Sequence, residues 1–137
     1  MRLMPLVLVA GGLAGLAKTA PQTTERVLQT VRSVLVQHEV ATIARAIGQA
    51  RTLGAAAPQP GQQEALAAFI RETMSAKGRD PALDLWETPY RLELQGQGLV
   101  VVSCGPNRVR DACPTGVAPG DAGLDSGPDD VCEAVPP

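Results

Sequence analysis

Asp84-Leu85-Trp86-Glu87-Thr88-Pro89-Tyr90 opens the stretch whose reading decides the fold. Thr88 precedes a proline and is biased toward extended geometry, so the chain should enter a strand here. Tyr90-Arg91-Leu92-Glu93-Leu94 alternates apolar and polar, which predicts a half-buried strand with Tyr90, Leu92 and Leu94 inward. Gln95-Gly96-Gln97-Gly98 reads as the turn of a hairpin, and Leu99 to Ser103 as the return strand. Ser103-Cys104-Gly105-Pro106-Asn107 closes the hairpin. Beyond Gly105 the chain is rich in Gly, Pro and Asp and reads as loop. A loop that long needs a staple in a compact domain, and a disulfide or a bound cation would serve.

Outward from the hairpin the pattern turns helical. From Thr23 to Leu53, Val27, Val31, Val34, Leu35, His38, Ile43 and Ile47 recur at spacings that predict an apolar stripe. Thr23 or Thr24 can cap the start, and Gly54 can end the helix. About thirty residues at 1.5 Å each make about 45 Å, longer than a domain of this size can cover. The stripe should therefore pack partly on the C-terminal part and partly on membrane or neighbouring copies. His38 reads as a packing residue. A Pro-rich loop, residues 55–61, leads to a second helix in 62–77, with Leu66, Phe69, Ile70 and Met74 inward and Phe69 as its core anchor.

The N-terminus carries an apolar run, Leu3 to Ala17, between Arg2 and Lys18. It fits a retained membrane anchor, with Lys18 at the interface, or a cleaved signal segment ending at Gly15-Leu16-Ala17. Pro21 stands between this run and the long helix, as a kink or as the first position of a new helix. The organisation expected is thus an anchor or signal segment at 1–20 and one domain at 21–137. That domain holds the long helix (21–54), the second helix (62–77) and the sheet with its acidic loop (84–137). The fold class is α+β: a long N-terminal helix, a short second helix, a small antiparallel sheet of two or three strands, and a stapled C-terminal loop.

Composition narrows the function. The 137 residues carry a net charge of -2, and the sequence pI is about 5.3. Nucleic-acid binding wants a basic patch, which this balance does not provide. The only aromatic residues are Phe69, Trp86 and Tyr90. The one histidine, His38, has no evident nucleophile and third partner, and no glycine-rich phosphate loop follows a strand. An enzyme is not expected. Cys104, Cys113 and Cys132 form no CxxC pair, so zinc and thioredoxin-like chemistry are weakly supported. In an exported domain one disulfide and one free thiol are expected. Cys104–Cys132 is the first choice of pair and Cys113–Cys132 the alternative.

From Asp111 to Pro137 there are six acids and no Lys or Arg. Asp121, Asp125, Asp129 and Asp130 lie among glycines, and clustered carboxylates on a flexible loop suit a hard cation such as calcium. The spacing does not match an EF-hand loop.

The order of these parts resembles the major pseudopilins of type II secretion systems: an apolar N-terminus running into a long helix, Trp86-x-x-Pro89-Tyr90, Ser103-x-Gly105-Pro106-Asn107, and the acidic pair Asp129-Asp130 before Val131. The resemblance covers most of the chain in layout and about twenty residues in motif. It implies a membrane-anchored structural subunit of a type II secretion or type IV pilus-like assembly. Such a subunit sits in the bacterial inner membrane with its C-terminal domain in the periplasm, and its partners are other copies or related subunits bound through the helix. It also implies a structural calcium ion, with Asp125, Ser126, Asp129, Asp130 and Ser103 as ligands by position. The chain departs from the family in three ways. Leu85 and Glu87 stand where proline and glycine are usual, Asn107 stands where an aspartate is frequent, and no prepilin peptidase motif is present. The alternative function is a secreted or anchored binding module that forms no filament.

Overall fold

The computed structural model describes the backbone of residues 6–111 and 130–137, and side chains from residue 22 onward within those ranges. The chain divides into two units, Met1–Arg32 and Ser33–Pro137. The elements run in the order α1 (Leu6–Thr52), α2 (Gln63–Thr73), β1 (Arg91–Gln95), β2 (Gly98–Ser103) and β3 (Val131–Ala134). This is the expected α+β arrangement: a long helix, a short helix and a small antiparallel sheet.

The first unit is helical backbone from Leu6 on. The helix runs through Pro21 without interruption, so Pro21 neither breaks it nor starts a new one. Among the described residues no helix is long and apolar enough to cross a membrane. The side chains of the run Leu3–Ala17 lie outside the described residues, and so does the question of anchor against signal segment.

In the second unit the sheet has the order β1-β2-β3, antiparallel throughout. Gln95 pairs with Gly98, so the hairpin turn is the two residues Gly96 and Gln97. Gly96 has φ +61° and Gln97 does not share its sign, which fits a type II′ turn with glycine at its first central position. β3 was not foreseen. Four residues of the stretch read as loop, Val131–Ala134, pair with Val100–Ser103 of β2. The strand is short, and its Cys-Glu-Ala run has little β propensity. The neighbouring ladder rather than local preference makes it a strand.

The core lies between one face of the sheet and the two helices. α1 contributes Val36, Val40, Ile43, Ala44 and Ile47, α2 contributes Leu66 and Ile70, and the sheet contributes Leu92, Leu99 and Val101. Trp86, Tyr90, Ala82 and Val135 complete it. Positions 36, 40, 43, 44 and 47 recur at three- and four-residue spacing, as a helix face packed on a core must. This face is rotated from the expected stripe. Ile43 and Ile47 are in it, whereas Val34, Leu35 and His38 are exposed and Val36 and Val40 are fully buried.

Two further packing expectations change. Phe69 is only partly buried against the core, and the smaller Leu66 and Ile70 anchor α2 instead. Leu94 is 67% exposed, because it lies one pair from the turn at the end of the hairpin. The opposite sheet face carries a second small cluster of Val100, Val102 and Cys132.

Candidate functional site

The Asp84–Tyr90 stretch is a miniature hairpin folded around one side chain. Tyr90 N–H donates to Ala82 O at 3.3 Å, and Asp84 N–H donates to Thr88 O at 2.9 Å. Leu83 and Pro89 form an isolated bridge between the two arms. Asp84 is buried at the neck, 2% exposed. Its Oδ1 accepts from the Trp86 N–H at 2.9 Å and the Thr88 N–H at 2.8 Å. Its Oδ2 accepts from the Ser103 hydroxyl at 2.6 Å, and Ser103 Oγ in turn accepts from the Gly105 N–H at 3.3 Å. Aspartate favours this local role because its short side chain can satisfy backbone donors two residues ahead. Asp84 thus ties the tip carrying Trp86 to the end of β2. Nothing in the sequence reading singled out Asp84 as the hub.

Glu87 adopts φ +63°, the left-handed region that glycine occupies without cost. The turn geometry that glycine would provide at this position is therefore present with a glutamate in it. The Asp84 bonds on either side impose it, together with the Glu87 N–H to Asp84 O bond at 3.1 Å.

A second polar group joins the long helix to this hairpin. The Tyr90 hydroxyl donates to Glu39 Oε2 at 2.5 Å, and the Arg79 guanidinium pairs with Glu39 Oε1 and donates to Leu83 O. Burial first, and then the hydrogen bond to Glu39, push the Tyr90 phenol well above the usual tyrosine range. Nothing in the sequence pattern announced this triad, because its members are far apart in the chain and each is ordinary alone.

The third group bears on the expected metal centre. Arg110 sends Nε to Glu93 Oε1 at 2.9 Å, Nη2 to Glu93 Oε2 at 2.6 Å and Nη1 to Asp130 Oδ2 at 2.5 Å. The Arg110 hydrogen bond holds the Glu93 carboxyl below its ordinary pKa, and both carboxylates raise that of Arg110. Asp130 Oδ2 also accepts from the Asp111 N–H at 2.9 Å, while its buried Oδ1 has no hydrogen-bond partner among the described residues.

Of the five expected calcium ligands, Asp125, Ser126 and Asp129 lie outside the described residues. The other two are close to each other, since Ser103 pairs with Val131, the residue after Asp130. The Ser103 hydroxyl is committed to Asp84 and Gly105, and Asp130 faces a guanidinium. No group of three or more His, Cys, Asp or Glu able to hold a metal occurs among the described residues.

The cysteines depart from the first-choice pairing. Cys104 is a free thiol, buried, and burial raises its pKa. Cys132 on β3 is disulfide-bonded, so Cys104 is not its partner. Cys113, the alternative, lies outside the described residues. The pairing of β3 with β2 joins the C-terminal segment to the hairpin.

No protein-family model matches the chain, and no curated protein or solved structure matches it either.

Proposed function

We propose that the protein is a pseudopilin-like structural subunit that self-associates, or joins related subunits, through α1. In this reading the apolar N-terminus holds the protein in the bacterial inner membrane, and the sheet domain faces the periplasm. The role is assembly, with no catalytic step.

The observation that supports this most is a set of large apolar side chains left exposed on α1. Val27, Leu28 and Val31 are 45–56% exposed in the first unit, and Val34 and Leu35 are each 49% exposed in the second. Single exposed apolar residues are ordinary, whereas several on one stretch of helix mark a partner surface. The spacing 27, 31, 34 and 28, 35 is that of a helix face meeting another helix. Arg26 and Arg32 are exposed at neighbouring positions of the same helix and keep the surroundings polar.

The test is chemical cross-linking. Val34→Cys places an accessible thiol on this face, while Cys104 stays buried. Mild oxidation of the full chain in membranes should give disulfide-linked dimers that disappear on adding reductant. Monomer alone, at every concentration, would overturn the proposal.

A second reading has one observation in its favour. An open groove of about 640 Å³ runs beside β1, lined by Pro60, Gly61, Gln63, Pro89, Leu92 and Leu94 among others. A small binding module would use such a groove as a monomer, so the same cross-linking experiment separates the two.

A further inference from the structure

We propose that His38 is the pH sensor of the α1 self-association surface, and that its protonation releases the second copy. This inference rests on the assembly reading above. At about 3.6 residues per turn, positions 34, 35 and 38 lie on the side of α1 opposite Val36, Val40 and Ile47, which the core consumes. Val34 and Leu35 are each 49% exposed, and His38 is exposed beside them, four and three positions on. In the sequence Leu28 and Val31 continue this face, so Leu28, Val31, Leu35 and His38 repeat at the three-and-four spacing of a helix–helix seam. The apolar run ends at Thr42 and Arg45. Two copies held in one membrane by the same end leave it in the same direction. The pairing is therefore parallel, each seam residue meets its own counterpart, and His38 faces the partner's His38.

A neutral imidazole suits such a seam, because one polar residue there sets the register at some cost in stability. Two imidazolium groups do not, since like charges would be brought together out of water. Histidine is the side chain whose charge ordinarily changes between about pH 5 and pH 8. The ring of His38 is exposed, so the groups that would face it are those of α1 and of the second copy. Positions 34, 35, 41 and 42 are Val, Leu, Ala and Thr and offer no charge. The adjacent Glu39 carboxylate is taken by the Tyr90 hydroxyl and the Arg79 guanidinium. Arg45, two turns on, is itself positive and donates to Ala41 O and Thr42 Oγ1. A protonated His38 in the seam would thus meet cations and no anion. The overall charge pulls the other way. A net charge of -2 and a pI of about 5.3 bring the protein toward neutrality as the pH falls, which by itself favours association.

The experiment is sedimentation velocity of the full chain in detergent micelles at about pH 7.5 and about pH 5.5, for wild type, His38→Leu and His38→Gln. Circular dichroism at both values checks that each protein stays folded. The Kd of the wild-type association should rise by at least about tenfold at the lower pH. His38→Leu should associate at the higher pH at least as tightly as wild type, and both variants should lose the pH response. A wild type that associates equally, or more strongly, at the lower pH would overturn the proposal and leave the assembly reading in place. A variant that keeps the wild-type response would do the same. A wild type that is monomeric at both values would overturn the assembly reading and this proposal with it.

Discussion

At the scale of single residues, Asp84 holds the hairpin in a shape its backbone would not choose. Asp84 supplies three accepted hydrogen bonds from a buried position. Removing it leaves two N–H groups and a hydroxyl without their partner, each worth about 1–3 kcal/mol. Asp84→Ala should therefore lower the unfolding midpoint by more than about 10 °C, read by fluorescence of Trp86, the single tryptophan. A fall under 3 °C would mean that the hub is dispensable. Glu87 shows the opposite sign. Its left-handed backbone costs about 1 kcal/mol relative to glycine, and its side chain is exposed. Glu87→Gly should raise the midpoint by a few degrees in the same assay, and a drop would show that the glutamate side chain contributes more than its strain costs.

Tyr90 adds a pH dependence whose sign follows from its environment. Its phenol is pushed up in the folded protein, so stability from this group is complete below the unfolded value near 10. That stability is lost as pH rises past the unfolded value toward the folded one. Tyr90 is the single tyrosine, so phenolate absorbance reports it alone. Phenolate should appear only together with loss of circular dichroism. Ionisation near pH 10 in a still-folded protein would contradict the buried Glu39 bond.

At the scale of elements, α1 and the C-terminal tail meet closely at Gly48. A Cβ added at Gly48 would lie 2.8 Å from Pro136 Cγ and 3.0 Å from its carbonyl oxygen. Helix propensity alone favours alanine over glycine by about 1 kcal/mol. Gly48→Ala should nonetheless lower the midpoint in the full chain and raise it in a chain ending at Val135. The same sign in both backgrounds would mean that the tail does not rest on Gly48. This is also where reading from sequence succeeded and stopped. The hairpin strands were legible, because Tyr90-Arg91-Leu92 and Leu99–Ser103 carry alternating or continuous apolar signals. Both helices were legible from their spacing. β3 was not, since an edge strand of four residues takes its structure from the ladder beside it. The rotation of the α1 core face was also hidden. Val34, Leu35, Val36 and Val40 are all apolar, and sequence spacing alone does not say which of two overlapping stripes a sheet will cover. The polar groups were the least legible, because Glu39–Arg79–Tyr90 and Glu93–Arg110–Asp130 join residues that only the fold brings together.

At the scale of the molecule, α1 has two kinds of apolar surface. Val36, Val40, Ile43, Ala44 and Ile47 are consumed by the protein's own core, while Val31 and Leu35 are half exposed. Carboxylates at Val31 and Leu35 should therefore leave the folded protein intact and abolish self-association. The decisive measurement is sedimentation velocity of the full chain in detergent micelles, for wild type and for the double variant Val31→Glu/Leu35→Glu, with thermal unfolding of both. The account predicts a concentration-dependent oligomer for wild type and a monomer of unchanged unfolding midpoint for the variant. A wild type that stays monomeric at all concentrations, or a variant that associates as strongly as wild type, would contradict it.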